Sequence, residues 1–436
     1  MKRLVCFLLI TLLLLSGCGQ TAPAEPTEPP FEATAPTMAA LPEGATDEEI
    51  LQYRRDLVEQ QMRYMCTVRW TPAKTIQYSL VNKSLGLAAD KQSNPEDIIT
   101  LYQGVIYEGI PYTHGCGSAY AFLEYADSMN ENGALVFNDL STEDLSGYGK
   151  MEPTRCCRIG NDCADQVYWA WNHISTSTTF EVTNNMTPSY GLILVGDYTH
   201  NEERLSYTAP ICQENGYDVM MESYAQMQKG DAMVFINSKG AGHAIMNVQV
   251  HVVRNEDGTI NGQESYAITL EQESGDERTQ TDKYIDEATG QEIVRLQGID
   301  RQYTFQFLYQ KGYLPVTCKE LIDPSPLEEV SVKDSISEHN ISTIFKGTFT
   351  SNYRISHVTI RIADASGKVV QECTTFSIAN EMKDFNLIRF ISDVEKLVQK
   401  GSIDVDALAS GTYTVTHTAY MSTGDQIVVR NFTYEK

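Results

Sequence analysis

Gly230-Asp231-Ala232-Met233-Val234-Phe235, followed by Gly240-Ala241-Gly242-His243-Ala244-Ile245-Met246, decides how the middle of this 436-residue chain folds. Gly230-Asp231 is a turn signal, the apolar run after it is a strand, and the Gly-rich break opens a second strand. The pair predicts a β-hairpin over Ala232–Asn237 and Ala244–Val253, with His243 at the start of its second strand. A third strand, Ser265–Leu270, ends in Glu271-Gln272. A polar side chain there can reach across to the imidazole and set its tautomer. Glu271 and Gln272 are both candidates.

Upstream, Gly160-Asn161-Asp162-Cys163-Ala164-Asp165-Gln166-Val167 has the pattern of a turn and a helix start. Asp162 can cap, and Ala164, Val167, Tyr168 and Trp171 recur at helical spacing, which predicts a buried face. Cys163 then stands in the first turn. The partial positive charge and free N–H groups there favour a thiolate and can hold an oxyanion. A thiol nucleophile also needs a base. Among the histidines, His173 is farther along the same helix, roughly 15 Å away by helical rise. His339, His357 and His417 fall in the C-terminal region, and His200 and His251 have no special setting. His243 is the candidate base, flanked by glycines that let the backbone approach closely. Short helices mixed with strands give the class α+β.

In chain order these residues resemble the NlpC/P60 cysteine peptidases and their CHAP relatives, papain-like enzymes that cleave bacterial cell-wall peptides. Gly109-Ile110-Pro111-Tyr112 matches the family's motif upstream of the nucleophile, and Asp162-Cys163 its Asp-Cys pair. Gly230-Asp231 and Gly242-His243 match its strand openings, and Glu271-Gln272 resembles the end of its third strand. The resemblance covers roughly Asn94 to Leu321. It implies Cys163 as nucleophile, His243 as base, Glu271 or Gln272 as orienting group, and Tyr112 and Asp162 beside the substrate. It implies hydrolysis of amide bonds in peptidoglycan stem peptides, without metal or other cofactor. Two departures stand out. Ala164-Asp165 replaces the Ser-Gly that usually follows the nucleophile, and a long insertion ending at Cys156 and Cys157 separates Tyr112 from Cys163. Asp165 is expected to oppose ionisation of the thiol. A binding or adhesion lipoprotein that keeps the fold without catalysis is the alternative.

From about Ser331 the pattern changes. His357–Ala363 and Lys368–Cys373 flank Ala365-Ser366-Gly367, and Gly411–Met421 and Gln426–Tyr434 flank Ser422-Thr423-Gly424-Asp425. Each set predicts strand, turn, strand. Tyr413, Val415, His417, Ala419 and Met421 form one face, with Thr412, Thr414, Thr416 and Thr418 on the other. Two such hairpins predict an antiparallel sandwich, similar to the Ig-like modules of bacterial surface proteins, with a helical insertion around Asn386–Gln399.

At the other end, Lys2-Arg3, an apolar run from Leu4 to Leu15, and Leu15-Ser16-Gly17-Cys18 have the layout of a signal peptide and resemble a lipobox. The run falls short of the roughly 20 apolar residues that span a bilayer. The resemblance implies lipidation of Cys18 and a membrane-anchored cell-surface protein. Gly19 onward is a Pro-rich tether. Thr46-Asp47-Glu48-Glu49 predicts a capping box and a helix that ends before Pro72. The expected organisation is leader 1–18, tether 19–46, helical region 47–93, catalytic domain 94–325 and sandwich 326–436.

The 58 Asp and Glu against 33 Lys and Arg argue against nucleic acid as a partner. Cell-wall peptide, the membrane through its anchor, and a surface protein held by the sandwich are the expected partners. Disulfides are permitted outside the cytoplasm, and the ten cysteines include no CxxC pair, so no zinc site is expected.

Overall fold

A computed structural model describes residues 35–36, 41, 43–79, 98–113, 118–138, 160–178, 182–376, 383–387 and 399–436. The leader with Cys18, most of the tether, Cys116, Cys156, Cys157 and residues 388–398 of the expected helical insertion lie outside them.

Helix α1 (Asp47–Thr67) starts as predicted. Thr46 Oγ1 accepts from the Glu49 N–H at 3.3 Å, and the Glu49 carboxylate accepts from the Thr46 N–H at 2.8 Å. This reciprocal box satisfies two donors at the open helix end. The helix buries Leu57, Val58, Met62, Met65 and Cys66. It also buries two cations, because their N–H groups find carbonyls beyond the helix. Arg54 reaches Glu320 O (3.0 Å) and Asp323 O (2.6 Å); Arg55 reaches Lys229 O (2.7 Å) and Leu321 O (2.9 Å).

Of residues 47–93, expected to form a helical region, those described are helical to Thr67, and Arg69–Pro72 and Ile76–Ser79 are strands; residues 80–93 lie outside the described residues. Arg69–Pro72 lies between Ile106–Glu108, antiparallel to it, and Leu135–Phe137, parallel to it, in a six-stranded sheet. Trp70 draws it there. Its fully buried ring packs against Tyr107, Phe122 and Phe137, and its Nε1 donates to Gly109 O at 2.8 Å. That bond holds the chain that continues to Tyr112.

The central sheet contains β1 (Leu192–Leu194), β2 (Ala232–Ile236), β3 (Gly242–His251), β4 (Tyr266–Glu271), β5 (Gly298–Thr304) and β6 (Leu314–Cys318), in the antiparallel order β5-β4-β3-β2-β6-β1. The three strands predicted around His243 are its centre. Two further helices matter for the site, α2 (Ala119–Tyr125) and α3 (Cys163–Trp171). Helix α3 packs between α1 and the sheet. Trp171 Nε1 donates to Gly230 O at 2.8 Å, and Gln166 Nε2 meets Cys66 Sγ at 2.9 Å. Together with the β-rich C-terminal part, this makes the chain α+β.

That part holds β7 (Val332–Asp334), β8 (Thr348–Ser351), β9 (Ile355–Asp364), β10 (Val369–Phe376), β11 (Asp384–Asn386), β12 (Gln399–Ser402), β13 (Thr412–Met421) and β14 (Gln426–Glu435). They form a three-stranded sheet, β7-β8-β11, and a five-stranded sheet, β12-β10-β9-β13-β14. Phe349 and Phe385 from the first share one core with Val358, Cys373, Ala419 and Met421 from the second. The predicted hairpins are β9–β10 and β13–β14. Tyr413, Val415, His417, Ala419 and Met421 are all buried. The other face of the larger sheet meets α2: Tyr125 packs edge-on against Phe376 at 5.4 Å, and Lys400 Nζ donates to Glu124 O and Ala126 O at 2.9 and 2.6 Å. Glu32–Lys436 form one compact unit, so the sandwich is packed on the rest.

Candidate active site

Strands β2 and β3 pair with Phe235 opposite His243 and Met233 opposite Ile245. Between β3 and β4, Ile268 stands opposite Gln249 but Thr269 stands opposite Asn247, so Val248 is a bulge. One extra residue moves every later side chain to the other face. Had the register run on unbroken, Gln272 would have faced Ile245. With the bulge, Glu271 does. Glu271 therefore shares a face with His243, two residues from Ile245, and reaches the ring diagonally. Its Oε2 lies 2.8 Å from His243 Nε2. Of the two candidates, Glu271 is the histidine's partner.

Gln272 has a different task. Its Nε2 donates to Ile110 O and to Asn161 O, both at 3.0 Å. It staples the segment before Tyr112 to the segment before Cys163. The same two segments form a short bridge at Tyr112 and Asn161, closed by Asn161 N to Pro111 O (3.1 Å) and Thr113 N to Asn161 O (2.8 Å). Gly160 permits that approach: its φ is +149°, and a Cβ there would lie 2.2 Å from Pro111 O. No side chain fits.

Helix α3 begins at Cys163, with Asp162 as its cap. The Asp162 carboxylate accepts from Asp165 N at 2.8 Å, and its carbonyl accepts from Gln166 N at 2.9 Å. The cap leaves the N–H groups of Cys163 and Ala164 in the first turn open to a ligand. Cys163, a residue 5% exposed, is close enough to the His243 ring to influence its charge. Nε2 is held by Glu271, which leaves Nδ1 for a second partner.

Residues that sequence reading missed complete the chain of contacts. On β5, the Tyr303 hydroxyl donates to Glu271 Oε1 at 2.8 Å, and the Arg301 guanidinium lies 3.3 Å from the same oxygen. A second irregularity sets Gly298 opposite Glu271, where a Cβ would lie 2.4 Å from Glu271 Cγ. No local motif marks these three residues, because their pairing with β4 is long-range.

Charge follows from this geometry. Burial opposes a charge on His243, but the Cys163 hydrogen bond and the Glu271 carboxylate outweigh it and raise its pKa to about 10. Burial likewise pushes against a charge on Glu271, yet the hydrogen bond and charge of His243, with Arg301, hold its carboxyl below the ordinary value. An imidazolium stands between sulfur and carboxylate at neutral pH. Asp165, expected to oppose ionisation of the thiol, is paired with Arg354 Nη1 at 3.2 Å. The other described cysteines, Cys66, Cys212, Cys318 and Cys373, are buried and unpaired with each other, and burial raises Cys66, Cys212 and Cys373 to about 12.

A cavity of about 330 Å³ opens on His243 and Glu271. Tyr112, Phe235, Gly242, His243, Glu271, Tyr303 and Tyr313 line it, with Glu273 and Lys311 as charged wall residues. Cys163 contributes no wall. Asp162, expected beside the substrate, is not a wall residue either; its carboxylate serves the helix cap. Among the described residues no cluster of three or more His, Cys, Asp or Glu is placed to hold a metal, and no helix is long and apolar enough to cross a membrane.

No protein-family model and no curated protein matches the chain. Among solved structures, a tetra-tandem repeat in the extending region of a large adhesion protein aligns at 12% identity and a TM-score of 0.17. The alignment covers 47% of this chain and spans 40% of that neighbour's length. At that score the likeness bears on neither fold nor function.

Proposed function

We propose that this protein is a papain-like cysteine hydrolase of the NlpC/P60 type that cleaves amide bonds of peptidoglycan stem peptides. The observation that carries the proposal is the ordered contact Cys163–His243–Glu271, assembled at a helix N-terminus beside a cavity. The thiolate of Cys163 attacks the carbonyl carbon and forms a C–S bond. The first-turn N–H groups of Cys163 and Ala164 receive the oxyanion. His243 gives its proton to the amine nitrogen as the C–N bond breaks. Water then attacks the thioester, His243 takes its proton, and the carboxylic acid leaves with sulfur restored as thiolate. Glu271 holds the ring in orientation and stabilises the imidazolium, as the third member of such triads does. The basic and apolar leader ending at Cys18 supports a cell-surface, lipid-anchored location, where peptidoglycan is at hand; the C-terminal part, an Ig-like sandwich in this proposal, would serve the same placement.

The test is release of new amino groups from purified peptidoglycan by the full chain and by Cys163→Ala. Release by the unaltered chain only is the expected outcome; equal release by both would end the proposal. The 5% exposure of Cys163 favours a second reading, a binding or adhesion lipoprotein that keeps the fold without turnover. Rapid alkylation of Cys163 that disappears in His243→Ala would rule that reading out.

A further inference from the structure

Helix α3 is gripped at both ends by the C-terminal sandwich. At its N-terminal end, Arg354, just before β9, pairs with Asp165 in the first helical turn. At its C-terminal end, Ser422, in the β13–β14 turn, donates its hydroxyl to Asn172 O at 2.8 Å. The two grips are joined, since Ser422 N donates to Arg354 O at 2.9 Å. Arg354 is fully buried, and its guanidinium carbon lies 3.6 Å above the Trp169 ring, on the same helix.

We infer that Arg354 is a positioning residue for the nucleophile: by neutralising Asp165 it leaves the N-terminal field of α3 to the Cys163 thiolate, so the reactivity of Cys163 depends on the docked sandwich. The inference rests on Cys163 being the reactive thiol. An acid in the first turn is attracted by the same N–H groups that favour a thiolate, and two anions in that turn repel each other. Asp165 is 4% exposed, so water screens its charge poorly. Arg354 supplies the missing counter-charge from 189 residues farther along the chain. The charged and titratable groups around the thiol are His243 on β3, Glu271 on β4, Tyr313 before β6, Asp162 and Asp165 on its own helix, and Arg354 from the sandwich. Only Arg354 comes from the C-terminal part. The sandwich is then part of the catalytic unit as well as a module for surface placement.

Iodoacetamide alkylation of Cys163 in the full chain, followed by peptide mapping at pH 6, tests this without any substrate. Arg354→Met should slow the reaction about ten-fold and move its pH profile upward, as expected for one uncompensated anion. Asp165→Asn, which leaves Arg354 without its anion, should move the profile downward. The double variant should return close to the unaltered chain. A purely structural contact predicts slowing in all three, and no coupling predicts no change in any; either result overturns the inference. If Arg354→Met does not fold, Asp165→Asn against the double variant still decides, because equal profiles for those two would overturn it. Loss of peptidoglycan cleavage with this pattern intact would end the proposed substrate alone.

Discussion

The carboxylate of Glu271 lies 2.8 Å from Nε2 of His243 because Val248 bulges out of the strand between them. The orienting anion is thus selected by register. The bulge also divides labour between neighbours: Glu271 charges the ring, while Gln272 ties together the two segments that present Tyr112 and Cys163.

Replacing Glu271 by Gln should therefore shift a titration. The His243 pKa is raised to about 10, with Glu271 among the groups that raise it. Removing that anion favours the neutral ring, so the pKa should fall, by about 1–3 units for a charge in contact. The alkaline limb of Cys163 alkylation should move down by the same amount. Gln272→Leu breaks two buried hydrogen bonds and should cost about 1–3 kcal/mol while leaving that limb in place. Urea midpoints and alkylation profiles of both variants check this. Equal movement of the limb in both would contradict the division of roles.

Thiol chemistry should discriminate sharply among the described cysteines. Cys66, Cys212 and Cys373 are pushed up to about 12 by burial, and Cys318 higher still. Only Cys163 has an imidazolium partner and a helix N-terminus. Under native conditions at neutral pH, limiting iodoacetamide should modify Cys163 first of the five, and the other four only after unfolding in urea. Mass-spectrometric mapping over time reads the order, and early modification of Cys66 would contradict it.

Gly160 offers a test of the backbone junction. Alanine there must adopt φ near +149° with its Cβ 2.2 Å from Pro111 O, a backbone atom that cannot swing away. The expected loss is about 2–4 kcal/mol, with slower alkylation of Cys163 as Asn161 and Asp162 are displaced. Gly240→Ala is the control. Its φ is +80° with nothing within 4 Å of the added carbon, so it should cost only about 1 kcal/mol of backbone strain. Similar urea midpoints for the two variants would refute the role assigned to Gly160.

Features encoded locally were legible in the sequence. The Thr46–Glu49 capping box, the Asp162 cap before Cys163 and the three strands around His243 depend on short-range chemistry, and each is where its motif predicts. What depended on distant pairing was not. The choice between Glu271 and Gln272 hangs on one bulge in another strand. Tyr303 and Arg301 gain meaning only when β5 pairs with β4. The partner of Asp165 was not legible because its counter-ion belongs to the sandwich. Arg69–Pro72 was absorbed into a helical region because Trp70 finds its aromatic neighbours only in the folded sheet.

Asp231 opens the strand that leads to the hairpin carrying His243, and it is tied to α1 by Arg55 at 3.0 Å with both side chains buried. Burial already raises its carboxyl above the ordinary value, and Arg55 is the largest influence holding it down. Arg55→Leu should leave a buried anion without its partner and cost about 3–5 kcal/mol near neutrality. The sign of its pH dependence follows from linkage. A carboxyl whose folded pKa lies above its unfolded value binds more protons when folded, so stability falls as pH rises from the unfolded value through the folded one. The deficit of the variant should thus be small near pH 3, where Asp231 is largely protonated in both states, and full by pH 8. Denaturant midpoints across that range measure it, with Arg55→Leu/Asp231→Asn as partner variant. That double variant should recover much of the loss at pH 8 and show a flatter profile. A deficit of Arg55→Leu that is the same at every pH would mean that lost packing, and not the stranded carboxylate, carries the cost.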